Sequence, residues 1–343
     1  MLLERKNVLI TGGTGTVGKE LLKKMLTYNI HHIYVLSRDE QKQEIETRQL
    51  QNHPKVTFII GDIRDYDTIN TMMKGIDIVF HTAAMKIVRI CEANPYETFL
   101  TNIIGTQNII RSAAANNVKK VIFTSSDKAA NPTSTMGISK LCAERLMSHA
   151  NFMPGSSTIF TSVRFGNILG SRGSVLDLFI RQIKTKDHIT LTHSDMSRFI
   201  FTIDEAVDFL LKSAEIAVGG EVLINKMPNV RIYDLAKVLI RHLAPRFSKN
   251  PDNIKIKIIG KHPSEKIYEE LVTAHEAERT LEFDDYYCIL PTTHREKWQQ
   301  YHSVQGKPIT REIASNTLAF MNEEDLLTFM LEKDLIKAAP SLQ

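Results

Sequence analysis

Thr11-Gly12-Gly13-Thr14-Gly15-Thr16-Val17-Gly18 follows a short apolar run, Asn7–Thr11, and leads into a helical pattern near Lys19–Tyr28. Strand, glycine turn and helix in that order form the phosphate-binding entry of a Rossmann domain. Gly12 permits the tight turn, Gly15 lets the backbone approach a pyrophosphate, and Gly18 allows close packing of helix and strand. The pyrophosphate then meets a helix N-terminus, where free N–H groups and the dipole favour an anion. Thr11, Gly12, Thr14, Gly15, Thr16, Val17 and Gly18 are the expected dinucleotide contacts.

Outward from this turn, short apolar runs alternate with helical patterns. The strands are expected at Asn7–Thr11, His32–Ser37, Val56–Asp62, Ile76–Thr82, Lys120–Ser126 and Thr158–Phe165, the helices near Lys19–Tyr28, Tyr66–Lys74, Pro95–Ala115 and Gly137–Ala150. That alternation predicts an α/β fold with a doubly wound parallel sheet, whose ligands bind at the carboxyl ends of the strands. After Asn167 the pattern loosens: helices near Val175–Lys184, Asp204–Ile216 and Tyr233–Leu243 are interrupted by runs at Glu221–Asn225 and Ile254–Ile259. The expected division is a dinucleotide-binding domain over 1–166, with elements near 199–226 returning to it, a smaller C-terminal substrate-binding lobe over 167–290, and a tail over 291–343.

The totals exclude several classes. The 343 residues are 43% hydrophobic and 24% charged with a net charge of +4, too small to argue for nucleic acid. The three cysteines, Cys91, Cys142 and Cys288, are widely spaced and fit core positions in a reducing compartment. The 12 histidines lack metal-ligand spacing. Met1–Lys6 is charged, lacks a signal-peptide core, and no run approaches membrane-spanning length, so the expectation is a cytoplasmic protein with no membrane contact.

Chemistry concentrates after the strands. The second ends at Ser37-Arg38, a hydroxyl and a guanidinium suited to a 2′-phosphate, so NADP is the expected dinucleotide. Asp39 is next, and a register shift would return the acid that selects NAD, which is the alternative. Asp62 and Ile63 after the third strand are placed to meet adenine. Ala83 and Ala84 after the fourth are small where the cofactor comes close. The fifth strand ends in Ser126-Asp127-Lys128, an adjacent acid and base, followed by Met136 and Lys140 on one face of a helix.

These stretches, with His81–Lys86, Arg164–Val175, Asp195–Phe199 and Pro263–Leu271, resemble an extended short-chain dehydrogenase/reductase. Within that superfamily the chain is similar to the polysaccharide-biosynthesis group of UDP-N-acetylglucosamine 4,6-dehydratases, over residues 7 to about 272. Ser126-Asp127-Lys128-Ala129 is the most discriminating match. The resemblance implies a redox-neutral elimination: C4 of the sugar is oxidised, the C5 proton is removed, water leaves from C6, and hydride returns to C6. It implies Lys128 as the C5 base, Asp127 as the acid for the leaving water, Ser126 as a hydrogen-bond partner of the C4 oxygen, and Lys140 at the nicotinamide ribose. Lys86 is implied to touch cofactor and sugar, while Asn167, Ser174, Val175, Arg198 and Glu265 hold the sugar nucleotide. Three departures stand out. Met136 replaces the superfamily's Tyr and cannot take a proton, leaving Ser126, Asp127 or Lys128 to receive that of the C4 hydroxyl. His262 replaces an Arg, and Asp177 a Pro. The long helices are expected to pack as a homodimer or higher homo-oligomer, or within one subunit. Two alternatives share the scaffold: a nucleotide-sugar epimerase or reductase, and a non-catalytic NADP-binding sensor.

Overall fold

The strand β1, Asn7–Thr11, lies between two parallel neighbours, β2 (His32–Ser37) and β4 (Ile78–His81). Beyond β2 comes β3 (Val56–Ile60); beyond β4 come β5 (Lys120–Ser126), β6 (Ile159–Phe165) and Val222–Asn225, all parallel. Strand order reverses at β1, so the switch-point crevice that takes ligands in such sheets opens at the ends of β1 and β4. The doubly wound parallel sheet expected from the sequence is present. Three antiparallel strands, Tyr286–Ile289, Thr280–Glu282 and Lys307–Pro308, extend it to ten.

This computed structural model describes residues 3–171, 173–293 and 306–336. The chain forms two units. The first comprises Met1–Phe165, Ala206–Lys226 and Val272–Glu312; the second comprises Gly166–Glu205, Met227–Leu271 and Ile313–Gln343.

In the first unit, fully buried Leu9, Val79, Val121 and Phe123 meet Ile109, Ile110, Ala143 and Met147 from helices Gly105–Ala115 and Thr135–Ala150. Buried strands of this kind need apolar residues on both faces, which explains their near-continuous apolar runs. In the second unit, helices Val175–Thr185, Ile232–Leu243 and Glu323–Glu332 close on a core with Phe179, Leu235, Leu239, Leu326 and Met330.

The expected helix after the glycine turn begins at Thr16, three residues earlier than the pattern suggests. Gly15, extended at φ −78° and ψ 170°, is its N-cap. The backbone N–H groups of Thr16, Val17 and Gly18 thus occupy the first turn. No helix among the described residues is long and apolar enough to cross a membrane.

Candidate active site

Gly12 adopts φ +71°, and a Cβ there would lie 2.7 Å from the Cα and N of Ala83. The turn after β1 is therefore pressed against the loop after β4, and only glycine fits. A Cβ on Gly18 would stand 2.5 Å from Gly13 Cα and 2.6 Å from Gly12 O, so Gly18 packs on the turn itself. Close packing against β2 falls to Gly13, whose Cβ would meet Val35 at 2.3 Å. The turn is buried at Thr11 and Thr14 and leaves Gly15 exposed at the helix start. This cradle of glycines ahead of a helix N-terminus fits a dinucleotide's pyrophosphate.

At the end of β2, Gln43 donates from Nε2 to the carbonyl and hydroxyl of Ser37, at 3.1 and 2.9 Å. Arg38 is half exposed, 3.5 Å from Asp62. Asp39 is the N-cap of helix Glu40–Gln49, accepting from Lys42 N at 3.0 Å and pairing with the Lys42 side chain. Asp62 accepts from Arg64 Nε and Nη2 at 2.9 and 2.7 Å; Arg64 in turn reaches Glu97 at 2.7 Å. Burial pushes the Asp62 carboxyl up, but the hydrogen bonds from Arg64 and the nearby Arg38 hold it below its ordinary range. Ile63 is buried, and its carbonyl and that of Arg64 are held by Asn108 Nδ2 at 3.0 and 2.9 Å.

At the end of β5 the residues Asp127–Ala129 form one 3₁₀ turn, capped by the Ser126 hydroxyl. Asp127 is fully buried. Its Oδ1 accepts from Ser126 Oγ at 2.8 Å and from Lys128 Nζ at 2.9 Å, while Oδ2 has no hydrogen-bond partner among the described residues. A buried carboxylate oxygen left unpaired is costly. Helix Thr135–Ala150 begins beside this turn: a Cβ on Gly137 would approach Lys128 O to 2.3 Å. Met136 and Lys140 are both buried on that helix. Lys140 donates to Thr124 O at 2.7 Å and lies 4.6 Å from the Phe123 ring centre. Burial, opposed by Glu144 and Cys91 and aided slightly by Lys86, lowers the Lys140 ammonium to about 8. Lys86, exposed in the loop after β4, is thus electrostatically coupled to Lys140. Ala83 and Ala84 in the same loop are half-buried.

Asn102 carries a role that the sequence reading missed. The helix expected over Pro95–Ala115 contains a π-helical turn, Leu100–Ile104, of the kind that concentrates at functional sites. From it, Asn102 accepts from Met85 N at 2.8 Å and donates to Met85 O and Ser139 Oγ, both at 2.9 Å. One amide thereby joins the Lys86 loop to the helix of Met136 and Lys140. The π turn has no sequence signal in apolar periodicity; a buried Asn amid helical apolar positions is the signal that was available.

In the second unit, Asn167 lies on strand Asn167–Ile168, paired with Ser197–Phe201, which carries Arg198. Asn167 Oδ1 and Ser174 Oγ are buried without a hydrogen-bond partner among the described residues. Ser174 caps helix Val175–Thr185 by position but makes no side-chain cap bond. Asp177 accepts from Gly173 N at 3.0 Å; Arg172, in the same loop, lies outside the described residues. Arg198 is buried and donates to the carbonyls of Ser197, Ile267 and Lys266 at 2.7, 3.0 and 2.8 Å. Glu265 is half-buried in a turn, its carboxylate accepting from His262 N at 3.2 Å. No group of three or more potential metal-ligating side chains occurs among the described residues.

Comparison with known proteins gives this arrangement a lineage. The family described as polysaccharide biosynthesis protein matches residues 8–291. An uncharacterized membrane protein of Methanocaldococcus jannaschii is 48% identical over 329 residues, 95% of this chain and 96% of that protein. UDP-N-acetylglucosamine 4,6-dehydratase (inverting) of Campylobacter jejuni is 40% identical over 85% of this chain and 84% of its own length. UDP-glucose 4-epimerase of Rickettsia bellii is 38% identical, covering 97% of both. The X-ray structure of Pen from Bacillus thuringiensis superposes with a TM-score of 0.89 at 41% identity, over 97% of this chain and 99% of that one. The chain belongs to the polysaccharide biosynthesis protein family, nucleotide-sugar-modifying enzymes of the extended short-chain dehydrogenase/reductase superfamily.

Proposed function

We propose that the protein is a UDP-N-acetylglucosamine 4,6-dehydratase that works with NADP. The observation that carries this reading is the buried Asp127, which holds Ser126 and Lys128 on one oxygen and leaves the other unpaired at the end of a central strand. The dehydratase relative at 40% identity supports it.

In this reading the bound nicotinamide supplies reversible hydride exchange with the sugar. Gly12, Gly15 and the helix start at Thr16 hold its pyrophosphate, Asp62 and Ile63 meet the adenine, and Lys140 holds the nicotinamide ribose. Lys128 takes the C5 proton, and a proton returns to C5 when C6 is reduced. Asp127 gives a proton to the C6 hydroxyl, which leaves as water. Ser126 hydrogen-bonds the C4 oxygen. Met136 has no proton to exchange, so the C4 hydroxyl proton passes to the Ser126-Asp127-Lys128 group. Lys86, Asn167, Ser174, Val175, Arg198 and Glu265 are the proposed sugar-nucleotide contacts. Asn167 and Ser174 bring unpaired buried polar atoms to that task, whereas Arg198, bound to three backbone carbonyls, shapes the 266–267 segment.

The epimerase name at 38% identity favours a second reading, a nucleotide-sugar 4-epimerase. Purified protein incubated with UDP-N-acetylglucosamine separates the two: a 4-keto-6-deoxy product supports dehydration, a 4-epimer supports the second reading, and dinucleotide binding without product supports a sensor.

NADP selection rests on Arg38, because Asp39 is committed to capping a helix and to Lys42. Replacing Arg38 by alanine is expected to weaken NADP by about tenfold or more, the worth of a charge-assisted hydrogen bond, and to leave NAD nearly unchanged. Titrating both dinucleotides checks this; equal losses would remove Arg38 from the 2′-phosphate. For assembly, we propose a homodimer through helices Val88–Ala93, Pro95–Phe99 and Thr135–Ala150, where Ile90, Phe99 and Ile138 are exposed and Tyr96 is 71% exposed. Tyr96→Glu is expected to sediment as a monomer where the native protein sediments as a dimer; an unchanged dimer would move the interface elsewhere.

A further inference from the structure

A line of buried polar groups runs from the glycine turn to the helix of Asn102. Ala83 N–H donates to Thr11 Oγ1 at 3.4 Å, and Thr11 Oγ1 lies 2.7 Å from His81 Nδ1. On the ring's far side, His81 Nε2 lies 3.1 Å from Thr106 Oγ1, which is 2.7 Å from Asn102 O. His81, Thr11 and Thr106 are all fully buried.

The directions of these bonds are forced. The Asn102 carbonyl has no proton, so Thr106 gives its hydroxyl proton there and accepts from His81 Nε2–H. Nδ1 must then be bare and accept the Thr11 hydroxyl proton, leaving a Thr11 lone pair for Ala83 N–H. Only the neutral Nε2–H tautomer satisfies every group. Burial, helped by the Lys140 ammonium, holds the imidazole in that neutral form by lowering its pKa to about 3.

We propose that His81 is a positioning residue for the dinucleotide: through Nδ1 it fixes the Thr11 hydroxyl, which clamps the turn after β1 onto the loop after β4 at Ala83. Gly12 sits at that same contact, with no room for a Cβ against Ala83. The inference rests on the dinucleotide part of the proposed function and not on its sugar chemistry.

Dinucleotide affinity of the full chain, measured by titration, tests it. Asparagine places an amide oxygen near the position of Nδ1, whereas glutamine places its amide near that of Nε2. His81→Asn should therefore bind within about threefold of native, and His81→Gln should lose about tenfold or more, the cost of an unsatisfied buried group. Thr11→Val should lose about as much, and the double variant with His81→Gln no more than the larger single loss, because both cut one link. Should the His81 variants fail to fold, Thr11→Val and Thr106→Val decide: the first loses about tenfold, the second stays within about threefold. Equal losses for asparagine and glutamine, multiplying losses in the double variant, or equal losses for the two valine variants would overturn the proposal. Because the readout is dinucleotide affinity, any of these results stands apart from which sugar the enzyme transforms.

Discussion

Lys128→Ala is expected to lower turnover of UDP-N-acetylglucosamine by about a thousandfold, within the range that a positioned proton-transfer group supplies. Its Nζ is 2.9 Å from a fully buried carboxylate oxygen of Asp127, and its side chain is one quarter exposed. Loss of the lysine also strips Asp127 of a hydrogen-bond donor, so the alanine variant alone confounds pairing with proton transfer. Lys128→Arg separates the two. Guanidinium keeps the ion pair but stays protonated, so it is expected to fold as well as native and to be nearly as inactive as the alanine variant. Steady-state turnover with thermal melts checks both. An alanine variant within tenfold of native would remove Lys128 from the chemistry.

The largest expected effect on stability is at Arg164. This guanidinium, fully buried on β6, makes a two-bond pair with Glu144 at 3.1 and 2.7 Å and another with Glu276, both bonds 3.0 Å. Arg164→Met is expected to cost about 3–5 kcal/mol, because it removes the cation shared by two buried carboxylates and, among the described residues, leaves Glu276 only the Arg279 cation, at 3.7 Å. Chemical denaturation checks this; a loss under about 1 kcal/mol would contradict it. The pH dependence follows from Glu276. Burial raises its carboxyl, but the charge and hydrogen bonds of Arg164, with Thr273 N–H and Arg279, together bring it from its ordinary 4.5 down to about 2. A folded-state value below the unfolded one stabilises the protein above about pH 4.5, and that contribution fades as pH falls toward 2. In the methionine variant the acid-unfolding midpoint should therefore move to higher pH.

The sequence showed most of the parallel sheet because its central strands are buried on both faces. β1, β2 and β5 occupy the residues that their apolar runs mark, and β3, β4 and β6 shorten only at their ends. Helix Glu40–Gln49 was not legible: its buried positions are Gln43 and Glu46, so no apolar stripe announces it. Those polar groups are satisfied by partners outside the helix, Ser37 for one and Lys19 for the other. The strands at 280–289 are only three or four residues long, too short for a period to register. At the site, the Ser126-Asp127-Lys128 turn could be read as an adjacent acid and base, but not the unpaired oxygen of Asp127. Nor could one sequence show that Gly137 must lack a Cβ to let its helix touch Lys128, or that Asn102 joins two loops through a π turn. Each depends on three-dimensional contacts that apolar periodicity does not encode.

The central claim is that oxidation at C4 and reduction at C6 occur within one turnover on one sugar. Native protein supplied with UDP-N-acetylglucosamine deuterated at C4 tests this most directly, with the label located in the product by NMR. A dehydratase of the proposed kind carries the deuterium to C6 of a 4-keto-6-deoxy sugar. Deuterium returned to C4 of an epimerised sugar, with C6 still hydroxylated, would contradict the account.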